Sequence, residues 1–78
     1  MQVQILTPEK ELFNGVATLV KLPGKDGSFE LLDNHTEMVY ALKKGQVKII
    51  TAQKEESFFD IEGGILEVSK NKVILLAD

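Results

Sequence analysis

Histidine occurs once in this chain, at position 35, directly behind Asp33 and Asn34. A proton carrier or metal ligand is the chemistry it could offer. A soft-metal site needs three or four nitrogen or sulfur donors, and the chain has no cysteine and no second histidine; Asp33 and Glu37 alone would give only a weak hard-cation site. His35 therefore reads as a turn residue or an interface hydrogen-bonding group. Glu9 with Glu11, and Glu55 with Glu56, could be proposed as carboxylate pairs for acid–base work. Such work needs a pocket that drives two pKa values apart, and these four residues fall in charged turns. Gly63-Gly64 lacks the lysine and the hydroxyl residue of a phosphate loop. No serine, histidine and aspartate are ordered as a nucleophile and its base. The residue types thus name no catalytic, metal or cofactor site, and a non-enzymatic role is expected.

The elements around these residues follow from composition and punctuation. Seventy-eight residues make one domain, spanning residues 1–78, and 44% of them are hydrophobic. A chain this short buries about 60–65% of its unfolded surface, so a partner surface would add to its stability. Twelve acidic residues oppose nine basic ones, all lysine, for a net charge of −3. With no arginine to grip phosphate in bidentate fashion, neither nucleic acid nor an anionic membrane surface is an expected partner. No stretch reaches the roughly 20 apolar residues of a membrane span, and the first residues carry no signal-peptide pattern, so a soluble chain is expected.

Val3 and Ile5 alternate with Gln2 and Gln4, the period of a half-buried strand, and Thr7-Pro8 ends it. Asn14-Gly15 is a hairpin signal between Leu12-Phe13 and a strand over 16–22 that is apolar on both faces. Pro23 and Gly24 stop that strand; Lys25, Asp26 and Gly27 prolong the turn. Phe29, Leu31 and Leu32 form a short strand until Asp33-Asn34 breaks it. Two exposed turns thus flank one short strand, and they are expected to stand at one end of the domain. Residues 36–44 mix helical spacing of Met38, Ala41 and Leu42 with the β-preferring Val39 and Tyr40, and an extended chain is expected. Strands over 46–52, 57–62, 65–68 and 73–77 follow, with Gly63-Gly64 breaking or bulging the ladder and 69–72 forming a tight turn. Phe58 and Phe59 should point to opposite faces. The expected fold is all-β: a single flattened β-sandwich of about 8–10 short, mostly antiparallel strands.

The ordered set Leu22-Pro23-Gly24, Gly27, Phe29, His35, Leu42, Gly45 and Val47-Lys48-Ile49, with Gly63-Gly64-Ile65-Leu66-Glu67-Val68, Asn71-Lys72-Val73 and Leu76-Ala77-Asp78, resembles the N-terminal domain of the epsilon subunit of F-type ATP synthase. The chain departs from that pattern at Thr36-Glu37, where the family has Ala-Pro after its histidine, and at Glu30, where it has glycine. The resemblance implies a non-catalytic rotor subunit of the central stalk. Its partners would be the gamma subunit and the membrane c-ring, and it would couple proton or sodium flow to ATP synthesis. No cofactor and no membrane insertion are implied. The location implied is peripheral, at the cytoplasmic face of the bacterial inner membrane. Carried over by position, the ring-side contact falls on Gly27, Ser28, Phe29, Glu30 and His35, joined by Lys25, Asp26 and Asn34 from the same turns. The family's inhibitory C-terminal helical hairpin has no counterpart in these residues; coupling without that form of inhibition is the expectation if they are the whole protein, and none follows if they are one domain of a longer one. No residue is assigned to the gamma contact.

Lys25 supports a rival reading from another class, a small binding or carrier domain that presents a cofactor-bearing lysine on a hairpin. Such domains place methionine or aspartate before that lysine, whereas Gly24 stands there.

Overall fold

The computed structural model describes residues 1–78. Seven strands make it up: β1 (Gln2–Leu6), β2 (Glu11–Val16), β3 (Leu19–Gly24), β4 (Gly27–Leu32), β5 (Met38–Ile50), β6 (Glu56–Ser69) and β7 (Lys72–Ala77). They form one sheet in the order β2-β1-β7-β6-β5-β3-β4, antiparallel throughout except for the parallel pair β1–β7. The all-β, mostly antiparallel expectation stands, but the count is seven rather than 8–10. The segments 36–44 and 46–52 merge into β5, and 57–62 and 65–68 merge into β6, because neither Gly45 nor Gly63-Gly64 interrupts the ladder between them.

That ladder makes the sandwich. Leu42↔Gly64, Lys43↔Gly63 and Gly45↔Ile61 keep one register along the whole β5–β6 ribbon. The inward positions nevertheless change parity: Met38, Tyr40 and Leu42 turn inward at one end, Val47 and Ile49 at the other. In β6 the inward set likewise passes from Phe59 and Ile61 to Leu66 and Val68. The ribbon turns over at Gly63 (φ +137°) and Gly64 (φ +155°), where an L side chain is strained. Its two halves thus offer opposite faces to one core. Ile5, Leu22, Leu31, Ile49, Leu66 and Leu75, with Val3, Val20, Val47 and Val73, are sealed from solvent there. No polar or charged residue is buried with them.

Three local expectations are corrected. Asn14-Gly15 is not a hairpin turn but lies inside β2, paired with Gln4 and Val3. A two-residue type I′ turn requires positive φ at both residues. Lys70 (φ +50°) and Asn71 (φ +59°) meet that requirement between β6 and β7, and Asn14 and Gly15 do not. Reversal between β1 and β2 falls at Thr7–Lys10 instead, where the Thr7 N–H donates to the Lys10 carbonyl at 2.9 Å. The strand expected over 16–22 is shifted to 19–24, and Pro23 does not end it. Pairing of β3 with β5 slips between Lys21↔Lys48 and Gly24↔Leu42, so the missing proline N–H coincides with a gap in the ladder. Pro23 packs on Gly45, where a Cβ would lie 2.7 Å from the proline Cβ. The two phenylalanines divide as expected: Phe59 meets Phe13 edge-on at 5.9 Å between centroids, and Phe58 faces outward.

Candidate functional site

The β3–β4 hairpin turns in two residues, Lys25 and Asp26, between the paired Gly24 and Gly27. Gly24 has no room for a side chain, since a Cβ would fall 2.6 Å from the Gly27 carbonyl oxygen and 2.7 Å from Phe29 Cε1. Behind the turn, the Lys25 N–H donates to the Ala41 carbonyl at 3.1 Å and fastens the tip to β5. The Tyr40 hydroxyl donates to Asp26 Oδ2 at 3.1 Å, and the Phe29 and Tyr40 rings meet edge-to-face at 5.1 Å and 79°. Together Asp26, Gly27, Ser28, Phe29, Met38 and Tyr40 line an open groove of about 350 Å³. Burial here is partial: Phe29, Met38 and Tyr40 are half-buried, and the other three are exposed.

Asp26 pushes the Tyr40 phenol above its usual range, first because ionisation would break the hydrogen bond to the carboxylate, and further through desolvation and charge repulsion. Met38 and Tyr40 are not among the residues that the sequence singles out for this contact. Their signal is the outward–inward alternation of 38–42, which places 38 and 40 on one face of β5.

The remaining sequence-named residues stand apart from this groove. Glu30 is exposed opposite Lys21 on the outer face of β4. Asn34 takes a left-handed conformation (φ +63°), and its N–H donates to Asn71 Oδ1 at 2.8 Å, which ties it to the β6–β7 turn. His35 is exposed, with Nδ1 3.0 Å from the Thr36 carbonyl oxygen. Asp33 pairs with the Met1 ammonium, which also donates to the Ala17 carbonyl at 2.8 Å. The two turns therefore do not share one end. They cap opposite ends of β4, separated by five residue steps or roughly 17 Å of extended strand. Lys25 to Phe29 form one group, Asn34 and His35 a second, and Glu30 lies between them.

A larger apolar surface lies on the outer face. Ala41 pairs with Ile65, Ile65 with Leu76, and Leu76 with Leu6, a row running across β5, β6, β7 and β1. The neighbouring row is Val39, Glu67, Ile74 and Gln4. Val39 is 69% exposed, Leu76 50% and Ile65 44%. Alternation alone tells that one parity of these strands faces the core; it cannot tell that the other parity carries aliphatic residues side by side, because neighbours in this row are up to 70 positions apart. No three histidine, aspartate or glutamate side chains converge anywhere in the chain.

Comparison with known proteins bears on these surfaces. The family model described as "ATP synthase, Delta/Epsilon chain, beta-sandwich domain" matches residues 1–78. The chain is 44% identical over 77 residues to the ATP synthase epsilon chain of Chlorobium limicola, covering 99% of this chain and 88% of that one. It is 40% identical over 79 residues to the epsilon chain of Janthinobacterium sp. (strain Marseille), of which it spans 56%. Its fold matches a chain in the cryo-EM structure of the Euglena gracilis mitochondrial ATP synthase OSCP/F1/c-ring, with a TM-score of 0.89 at 14% identity, covering 96% of this chain and 48% of that one. A chain of the Tetrahymena thermophila mitochondrial ATP synthase central stalk/c-ring structure matches with a TM-score of 0.82 at 22% identity, covering 99% and 62%.

Proposed function

Because the chain belongs to the ATP synthase delta/epsilon chain β-sandwich family, we propose that it is a non-catalytic subunit of the rotor's central stalk, bound to the gamma subunit and resting on the c-ring. Its role is to help couple ion translocation through the membrane sector to ATP synthesis. The observation that carries this reading is the outward row Ala41, Ile65, Leu76 and Leu6 with Val39 beside it. A contiguous exposed aliphatic patch on so small a domain costs solubility unless a partner covers it. The gamma subunit is the occupant proposed for that face. The ring meets the β3–β4 tip, residues Lys25 to Phe29, and the separate group Asn34 and His35 meets neighbouring stalk or ring surface. The location proposed with this role is peripheral, at the cytoplasmic face of the bacterial inner membrane; the chain contains no helix long and apolar enough to cross a membrane.

Size-exclusion chromatography and titration calorimetry with purified gamma subunit test the reading. A stable one-to-one complex is expected. Ile65→Asp and Leu76→Asp introduce charge at exposed positions, where surface substitutions change stability by about 0.5 kcal/mol or less. At the centre of an interface each should weaken binding by about tenfold or more. A folded chain that ignores gamma, or a complex indifferent to both substitutions, rejects this assignment of the face.

A further inference from the structure

The groove at the β3–β4 tip has a composition that a general contact surface does not require. Asp26 brings a carboxylate to its rim. The ion pairs of the chain are Met1 with Asp33, Lys44 with Glu62 at 3.7 Å and Lys48 with Glu56 at 3.8 Å. Asp26 is in none of them, although Lys25 is its immediate neighbour in the turn. Its one side-chain partner is the neutral Tyr40 hydroxyl, bonded through Oδ2, which leaves Oδ1 free to accept from elsewhere. The walls are two aromatic rings and the polarisable thioether of Met38.

We infer that this groove receives a cationic side chain, guanidinium or primary ammonium, projecting from the partner surface on which the tip rests. An aromatic face attracts a cation through its quadrupole, and a carboxylate beside it adds a charge-assisted hydrogen bond. Two aromatic side chains and a carboxylate line the one open groove of about 350 Å³, ample for a single long side chain. A neutral occupant would cover Asp26 without compensating its charge, and an anionic one would be repelled, so the site discriminates by sign. The chain itself has no arginine, so a guanidinium must come from outside. The frame is already set: Gly24 has no space to spare, the Lys25 N–H holds the tip to β5, and the Tyr40 hydroxyl holds the carboxylate at the rim. Little ordering is left for binding to cost. The inference rests on the reading of the tip as a contact surface, but the site can be tested without the ring.

The experiment is a titration of the folded chain with N-acetyl-arginine amide and, separately, N-acetyl-lysine amide, followed by NMR at the Met38 methyl and the amides of Asp26 to Phe29. One side chain in an open groove should bind with a dissociation constant on the order of millimolar. Saturable shifts confined to those signals are expected, with none from N-acetyl-glutamate amide. Asp26→Asn, which keeps the shape of the tip, and Tyr40→Leu, which keeps apolar volume but removes the ring, should each weaken binding about fivefold. Gln53→Ala, in the exposed turn between β5 and β6 and outside the groove, should leave it unchanged. Preference for arginine over lysine identifies the occupant as guanidinium, and the reverse as ammonium. Shifts that never saturate, that lie outside the groove, or that persist undiminished in Asp26→Asn overturn the inference. Ring attachment of the same variants is scored separately. A groove that binds cations in a chain that never associates with the ring refutes the ring contact and keeps the site. A chain that binds no cation, and that associates with the ring equally well with or without the Asp26→Asn substitution, refutes the site and keeps the ring contact.

Discussion

Replacing Gly64 with alanine should cost this domain a large share of its stability. Two separate effects converge there. The backbone sits at φ +155°, where a β-carbon is strained, and a residue held in such a region costs about 1–3 kcal/mol. The added Cβ would also press into the Leu76 carbonyl oxygen and come within 3.0 Å of the Ala77 Cα. Those atoms are backbone of β7 and cannot rotate away, so the overpacking cost of about 1–3 kcal/mol applies in full. Together the loss is about 2–6 kcal/mol, against a total of about 4–12 kcal/mol for a domain of this length. Each kcal/mol moves the melting midpoint of such a domain by about 4–8 °C. A fall of at least about 8 °C is expected, measured by far-UV circular dichroism. Gly27→Ala is the matched control, since Gly27 also has positive φ (+134°) but a Cβ there meets nothing within 4 Å. It should lose only the strain. Equal melting of the two variants would refute the claim that close approach of β6 to β7 matters at the turnover. Melting of Gly64→Ala within about 3 °C of the parent would refute the account of the turnover altogether.

Other expectations concern the core, the phenol and the exposed turns. Leu31 is fully buried in β4, so Leu31→Ala should lose about 2–5 kcal/mol, read as a lower urea midpoint. Tyr40 binds its phenolic proton more tightly folded than unfolded; that contribution is complete below the unfolded value of about 10 and is lost as pH rises through the higher folded one. Ultraviolet titration of Asp26→Asn should show the phenol ionising at lower pH than in the parent, and an unchanged curve would remove Asp26 as the cause. Glu30→Gln and His35→Gln should leave the melting temperature within about 3 °C of the parent, because both side chains are exposed. A lowered yield of ring-bound complex with either variant would assign it to the contact, and full yield with both would confine the contact to Lys25 to Phe29.

Much of the architecture is legible in the sequence because strand alternation is local. Val3 and Ile5, Leu66 and Val68, and Val73 and Leu75 each declare an inward face within five residues, and the tight turn at 69–72 declares itself by length. What is not legible is relational. Asn14-Gly15 has the composition of a type I′ turn, yet residues 7–10 close the reversal first, leaving Asn14 to bond Gln2 Nε2 at 2.8 Å along an edge strand. Gly45 and Gly63-Gly64 read as punctuation when each is taken alone. Only the pairing of Gly64 with Leu42, Gly63 with Lys43 and Gly45 with Ile61 reveals a single ribbon that turns over, and those partners lie 16 to 22 positions apart. The tip is evident from its turn residues, but its groove needs Met38 and Tyr40 from another strand. The eight named positions lie close together in the chain and so read as neighbours, whereas an extended β4 holds their two turns apart.

The tie between Lys25 and Ala41 has a mechanical meaning. Ala41 is the first member of the aliphatic row that continues through Ile65, Leu76 and Leu6. A load applied at the hairpin tip therefore enters the sheet at the edge of the broad apolar face, one hydrogen bond away, without passing through a loop. From there it is shared along the ladder as shear between strands, the direction in which many hydrogen bonds resist in parallel rather than opening one at a time. On the proposed reading, this wiring joins the tip offered to the ring to the face offered to gamma with no loop between them. It would deliver a displacement with little lag, where a linker of the same length would stretch before it pulled.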